Sequence, residues 1–189
     1  ESSIAQGVDG IVTTITNPTI FDAAVDEALA AGIPVITANT DDPEGAAGSN
    51  RLAYIGQDLE KAGYELASAL SKQFPDGDIH VLIGVADMNQ SWAYTRANGI
   101  GRFMEDYKAA NTDRNVTYEK IESGMDLSTV GNRVAAYVQT NPNTTAYFDV
   151  GFWEAGAAQG IRNLGYAPGQ MLLAGFDLVD VVFEEMEKG

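Results

Sequence analysis

Short runs of apolar, β-branched residues alternate along this chain with segments whose apolar residues recur about every 3.6 positions. Glycine, proline or asparagine stands at most of the switches between them. Regular alternation of strands and helices predicts parallel sheets joined by right-handed crossovers, which is an α/β fold. Strands are predicted at about 8–14, 33–38, 53–56, 78–84, 115–121, 145–149 and 171–176. Helices are predicted at about 19–31, 58–73, 92–110, 127–140, 152–164 and 178–188.

A polar loop at 41–51 interrupts this rhythm before a short strand that ends near Gly56. A lone strand after a long polar loop is a reasonable place for the chain to leave one sheet and enter another. We therefore predict a partial N-terminal lobe over residues 1–55 and a C-terminal lobe over residues 56–189.

The sequence pattern predicts that the first residues of the chain belong to a helix. Residues 1–6 are predicted to be the end of a helix that Gly7 terminates, since glycine commonly follows the last helical residue. The first lobe also has too few elements to fold alone. We therefore expect these 189 residues to be part of a longer protein, incomplete at both ends.

Acidic residues outnumber basic ones by 27 to 11, which gives a net charge of −16. A polyanion is repelled by nucleic acid and by anionic membrane surfaces, so neither is predicted as a partner. The chain has no cysteine and one histidine, His80, which we interpret as a strand residue. We therefore predict no metal site and no cofactor. No apolar run reaches the roughly 20 residues that cross a bilayer.

Polar, charged and aromatic residues follow several predicted strands, at the edge where open parallel sheets bind ligands. Carboxylates and guanidinium groups bind pairs of hydroxyls, and an aromatic ring covers the C–H face of a sugar. The edge therefore favours an uncharged polyol such as a sugar. The candidate ligand-binding residues are Asn39, Thr40, Asn89, Trp92, Arg96, Met125, Asp149, Phe152 and Asp177.

Several candidates also have a purely structural interpretation. Asp126, which follows Met125, and Asp177 could each cap the helix that follows, and Asn39 could serve only its own turn. Arg96 could be a solvated helix residue. The aromatic residues at helix starts could belong to the core: Trp92, Phe152 and Trp153.

Catalysis has little support in the sequence. A G-x-S-x-G motif, a histidine–carboxylate pair and a phosphate-binding glycine loop are all absent where strands meet helices. We therefore predict a binding protein and no enzyme.

Short segments in a fixed order carry a family resemblance over nearly the whole chain. The chain is similar to the type I periplasmic sugar-binding proteins, the ribose/galactose-binding group that feeds ABC transporters. The matching segments are Gly-Val-Asp-Gly-Ile-Val at 7–12, Ala-Gly-Ile-Pro-Val-Ile-Thr at 31–37, Tyr-Ile-Gly at 54–56 with Gly63, Arg-Ala-Asn-Gly at 96–99, Asn-Pro at 141–142, Ala-Gly-Ala at 155–157 with Gly165, and Gly-Phe-Asp at 175–177.

The resemblance implies a clamp of two doubly wound parallel-sheet lobes joined by a hinge, which closes around a sugar. At matching positions, Arg96 corresponds to the family arginine that binds sugar hydroxyls, and Asp177 to the aspartate of the Gly-Phe-Asp turn. Asn39 stands where the family often has a sugar-binding aspartate, and Thr40 where an arginine can follow it.

Two further positions match within one residue. Met125 or Asp126 falls near an aromatic contact of the family, and Asp149 or Gly151 near a position that is usually asparagine or aspartate. The departures from the family pattern, at Asn39 and Thr40 as well as Met125, leave the identity of the sugar open and argue against assuming ribose.

The resemblance implies a monomeric solute-binding protein of an ABC transporter that delivers a monosaccharide or similar polyol to a membrane permease. It also implies a periplasmic or extracellular location, with a lipid anchor as an open alternative. The competing interpretation is the effector-binding domain of a lac-repressor-like transcription regulator, which shares this fold and carries an N-terminal helix-turn-helix. The strong negative charge favours transport.

Overall fold

The computed structural model describes residues 2–189, in which strands and helices alternate as the pattern predicts. The strands are β1 (Ile11–Thr13), β2 (Val35–Asn39), β3 (Ala53–Gly56), β4 (Ile79–Val85), β5 (Val116–Glu122), β6 (Ala146–Asp149) and β7 (Leu172–Ala174). The helices are α1 (Ser2–Ala5), α2 (Pro18–Ala30), α3 (Leu59–Ser71), α4 (Ser91–Ala110), α5 (Leu127–Thr140), α6 (Glu154–Asn163) and α7 (Asp180–Lys188).

The strands form two parallel sheets. The first has the order β1-β2-β3 and the second the order β5-β4-β6-β7. Every strand pairing is parallel, with Val12 opposite Ile36 in the first sheet and Leu82 opposite Tyr147 in the second. The predicted α/β class is therefore confirmed. The strand β3 ends at Gly56, and the division of the chain into two units near that residue stays a prediction.

The larger core lies around the second sheet. Val81, Leu82 and Ile83 are consecutive residues of β4, and each is 0% exposed. Because successive side chains of a strand point to opposite faces, both faces of this sheet are covered. The single histidine, His80, lies on β4 as the sequence predicts.

Glycines allow α3 and α4 to approach closely on this lobe. A Cβ atom on Gly99 would overlap the carbonyl oxygen of Glu60, and one on Gly63 would overlap that of Arg96. These positions lie in helix interiors, where glycine is otherwise unfavourable. Gly99 and Gly63 are therefore needed for the close contact between the two helices.

The first lobe has a much smaller core, in which Val25 and Ala28 of α2 pack on Ile33 and Val35. The strand β1 is shorter than predicted because pairing with β2 begins only at Ile11. At the start of the chain, α1 is followed by Gly7 in the left-handed region (φ 67°), as expected for a helix end. The first residue of the predicted helix end lies outside the described residues.

Candidate ligand-binding site

Arg96 is the residue that joins most of the predicted site. Its Nη1 donates a hydrogen bond to the Val150 carbonyl oxygen (2.8 Å), and its Nη2 donates to Oε1 of Gln57 (3.1 Å). Its guanidinium carbon lies 4.1 Å from the ring centroid of Phe176 and 6.0 Å from that of Trp92. One side chain on α4 therefore touches the residue after β6, the turn after β7 and the chain between β3 and α3.

The Nε atom of Arg96 is buried and has no hydrogen-bond partner within residues 2–189. Burial lowers the pKa of Arg96, while the charges of Asp177 and Tyr54 act to raise it. Arginine stays protonated in proteins, so the site keeps a positive charge with one unused donor. The interpretation of Arg96 as a solvated helix residue is wrong.

An aromatic cluster lies beside this guanidinium. Trp153 stacks on Phe152 with ring centroids 4.9 Å apart and lies 6.3 Å from Trp92. Trp153 is only 8% exposed and belongs to the core, which confirms the purely structural interpretation of this residue. Trp92 and Phe152 are half-buried, so both pack on the core and keep ring surface accessible at the edge.

Asp149 ends β6 and is fully buried. Its carboxylate accepts hydrogen bonds from the Tyr147 hydroxyl (2.5 Å) and from the Gly151 backbone N–H (2.8 Å). Burial raises the pKa of Asp149 to about 6, although these hydrogen bonds act to lower it. In this arrangement the carboxylate shapes the turn that presents the Val150 carbonyl to Arg96, and direct ligand contact stays a prediction.

Glu154, the first residue of α6, is a buried carboxyl group that the sequence does not single out. The residue is 8% exposed, and Oε2 has no hydrogen-bond partner in the described part of the chain. Burial, together with the charges of Asp149 and Asp177, raises the pKa of Glu154 to about 8, although a backbone hydrogen bond acts to lower it. A Cβ on Gly175 would overlap Oε2, so this carboxyl group lies directly under the Gly-Phe-Asp turn.

Asn39 and Asp177 share an unusual backbone conformation. They have φ values of 66° and 63°, and among residues 2–189 no other non-glycine residue has a positive φ. Asn39 ends β2, and Asp177 follows β7 by three residues. Such conformations cost about 1–3 kcal/mol and cluster at functional sites. The alternative that Asp177 caps the last helix is wrong, because Val179 occupies the N-cap position of α7.

The first-lobe residues next to Asn39 are held within the protein. Thr40 is 3% exposed, and its carbonyl oxygen accepts from the Ile15 N–H (3.0 Å). Asp41 forms a bidentate ion pair with Arg51 (2.5 and 3.0 Å) and accepts from Thr37 (2.7 Å). Burial acts to raise the pKa of Asp41, but these partners outweigh it and the pKa is lowered. A ligand contact by Thr40 stays a prediction.

The remaining predicted residues lie in exposed loops. Asn89 bonds locally, since its side-chain amide donates to Asp87 (3.1 Å). Met125 is 54% exposed at the edge of the second sheet. Asp126 accepts from the Thr129 N–H (2.8 Å), so its interpretation as a helix cap is confirmed.

Residues 2–189 contain no cluster of three histidine, cysteine, aspartate or glutamate side chains that could hold a metal ion. None of the helices in this range is both long and apolar enough to cross a membrane.

Solved structures with a similar fold include periplasmic sugar-binding and solute-binding proteins of ABC transporters. A periplasmic sugar-binding protein of an ABC sugar transporter from Legionella pneumophila superposes with a TM-score of 0.83 at 22% identity, over 99% of this chain and 66% of that protein. A periplasmic solute-binding protein from Actinobacillus succinogenes, solved with bound D-allose, gives 0.78 at 26% identity, over 97% of this chain and 63% of its own. The architecture is therefore that of the type I periplasmic binding proteins.

The whole chain, residues 1–189, matches the periplasmic binding protein domain family, and the chain belongs to that family. A curated relative is the xylose/arabinose-binding protein XylF of Sulfolobus acidocaldarius, which is 29% identical over 170 residues. That match takes in 87% of this chain and 39% of the relative. The chain thus spans about two fifths of the length of XylF and less than two thirds of these solved structures.

Proposed function

We propose that this chain is part of a solute-binding protein that captures a monosaccharide or similar polyol between its two lobes and performs no chemistry on it. The observation that carries the proposal is the geometry of Arg96. The half-buried guanidinium of Arg96, whose Nε makes no hydrogen bond within residues 2–189, lies on the Phe176 ring and beside the chain that passes between the lobes. Such a group binds a hydroxyl strongly, because a charged donor in a partly dry site makes a short, strong hydrogen bond.

The half-buried rings of Trp92 and Phe152 complete the chemistry that a sugar requires. They supply apolar surface for C–H groups, while Arg96, Asp177 and Asn39 supply hydrogen-bonding groups for hydroxyls. The names of the relatives support this class of ligand, since XylF is described as binding xylose or arabinose and the Actinobacillus protein holds D-allose.

The proposed partner is an ABC transporter permease, to which the protein would deliver its sugar from a periplasmic or extracellular location. Family membership supports this assignment. The proposal makes the protein a monomer and excludes nucleic acid as a partner, in keeping with the charge of −16. A helix-turn-helix upstream of this chain in the natural gene would contradict it and support a transcription regulator.

The test is calorimetry of the natural full-length protein with a panel of pentoses and hexoses, followed by Arg96→Ala on the sugar that binds. We expect Arg96→Ala to weaken binding at least tenfold, because a hydrogen bond from a charged group contributes about 1.5–3 kcal/mol. The matched control is Arg102→Ala, since Arg102 lies on the same helix, is 54% exposed and pairs with Glu60 on the surface. Equal affinity of the two variants would refute the role of Arg96.

A further inference from the structure

Two hydrogen bonds at Ser91 cross between the lobes. Ser91 is the first residue of α4 in the second lobe, and Ile15 and Thr16 follow β1 in the first lobe. The Ser91 backbone N–H donates to the Thr16 carbonyl oxygen (2.8 Å), and the Ser91 hydroxyl donates to the Ile15 carbonyl oxygen (3.0 Å). These bonds exist only while the two lobes keep this relative position.

The contact is dry and tied into the candidate site. Ser91 is 1% exposed and Ile15 is 0% exposed. The Ile15 N–H donates to the Thr40 carbonyl oxygen (3.0 Å), so the first-lobe side of the contact is attached to the end of β2 beside Asn39. Separation of the lobes would break the two bonds that Ser91 makes to Thr16 and Ile15 and leave their groups to bond with water.

On the second-lobe side, the contact holds the helix that carries Trp92 and Arg96. Gln90 precedes α4 and makes no side-chain capping bond to any described residue. The Thr16 carbonyl takes over part of that role, because it accepts from one of the N–H groups that a helix start leaves without an intrahelical partner. The first lobe therefore fixes the start of the helix whose side chains form the second-lobe wall of the site.

Tyr94 lies one helical turn further along α4, near the acidic loop of the first lobe. The hydroxyl of Tyr94 is partly buried, and burial raises its pKa, as do the nearby carboxylates of Asp42 and Glu44 in the first-lobe loop. Ser91 thus makes the hydrogen bonds from the start of α4 to the first lobe, and Tyr94 lies near enough to that lobe for the charges of Asp42 and Glu44 to act on it.

We propose that Ser91 is a positioning residue that holds the two lobes together around the bound sugar. This rests on the proposed function. If only the closed arrangement retains sugar, the apparent affinity scales with the closed fraction of the protein. Loss of the Ser91 hydroxyl bond lowers that fraction, so sugar binding should weaken about two- to tenfold, mainly through faster release.

The experiment compares Ser91→Ala with the unmodified full-length protein by calorimetry and by stopped-flow measurement of sugar release. The matched control is Ser71→Ala, because the Ser71 hydroxyl donates within its own helix to the Ser68 carbonyl (2.9 Å) and crosses no interface. We expect faster release for Ser91→Ala, unchanged release for Ser71→Ala, and equal melting temperatures of all three proteins without sugar.

Hydrogen exchange of the Ser91 amide provides a readout that a purely structural role would not move. We expect this amide to exchange more slowly when sugar is bound, because its bond to Thr16 forms on closure. Equal exchange with and without sugar would show a permanent contact and overturn the proposal, as would unchanged release by Ser91→Ala. Failure of the unmodified protein to bind any sugar would instead refute the proposed function.

Discussion

Glu154 should make the stability of this protein fall as the pH rises from mildly acidic to mildly alkaline. Its carboxyl group is buried under the Gly175 turn, and Oε2 has no partner among residues 2–189. Burial raises its pKa from the ordinary value of 4.5 to about 8, with the charges of Asp149 and Asp177 adding to the effect. The folded state therefore holds this proton to a higher pH than the unfolded state does.

The magnitude follows from the interval between the two pKa values. Between pH 4.5 and about 8 the folded state binds more protons than the unfolded state, so the free energy of unfolding declines with rising pH. The contribution of Glu154 is fully present below pH 4.5 and is lost as the pH rises through about 8. Each pH unit costs up to about 1.4 kcal/mol, which over the roughly 3.5-unit interval gives an upper bound of about 5 kcal/mol.

The assay is denaturant unfolding of the unmodified protein and of Glu154→Gln at several pH values between 5 and about 9. Glutamine keeps the shape of the side chain without the titration, so the variant should gain stability relative to the unmodified protein as the pH rises. The control is Glu185→Gln. Glu185 is also buried, and although burial acts to raise its pKa, bonds from Lys188, Arg162 and Gln159 lower it.

The two glutamates should therefore give different results between pH 5 and about 9: the difference for Glu154→Gln should change with pH, whereas the difference for Glu185→Gln should stay constant, because Glu185 titrates below this range. Stability from Glu185 is present above its unfolded pKa and is lost as the pH falls through its lowered folded value. A stability difference between Glu154→Gln and the unmodified protein that stays constant from pH 5 to about 9 would refute the assignment of Glu154 as a neutral buried acid.

Three further changes separate stability from binding. Gly99→Ala should lower the free energy of unfolding by about 1–3 kcal/mol, because the new Cβ overlaps the Glu60 carbonyl. Gly101→Ala should cost less, because its Cβ would lie 3.2 Å from the flexible end of Lys120 and 3.3 Å from the Tyr118 ring; equal losses in denaturant melts of the two variants would refute this. Asp177→Gly should leave stability within about 1 kcal/mol, since glycine accepts a φ of 63°, but weaken sugar binding at least tenfold in calorimetry. Asp126→Ala should cost about 1 kcal/mol through loss of the α5 cap, measured by thermal melting.

The order and type of the elements could be predicted from the sequence because the hydrophobic pattern records them directly. The buried strand β4 is a continuous apolar run apart from His80, and α5 repeats valines on one face. The bounds of β1 and β7 could not be predicted in this way, because both are edge strands whose length depends on where a neighbouring strand begins to pair. Pairing across a sheet is a long-range property that a local pattern does not contain.

Some residues of the candidate site could likewise be predicted from the sequence, and others could not. Arg96 and Asp177 could be singled out from motif and strand-end position, and the structure places Asp177 near enough to Arg96 for its charge to act on the guanidinium. Glu154 and Ser91 could not be predicted from the sequence. Glu154 matters because it is buried under Gly175, and Ser91 matters because it bonds to carbonyl groups 75 or more positions away in the chain. Residue type gives no sign of such contacts.

The central claim is that Arg96 binds a sugar hydroxyl at the edge between the two lobes. The most direct measurement is a crystal structure of the natural full-length protein with the sugar that calorimetry identifies. We predict that a guanidinium N–H of Arg96 donates to a hydroxyl of that sugar, with the Trp92 or Phe152 ring against its C–H face. A sugar bound elsewhere, with Arg96 still bonded only to Val150 and Gln57, would contradict the account.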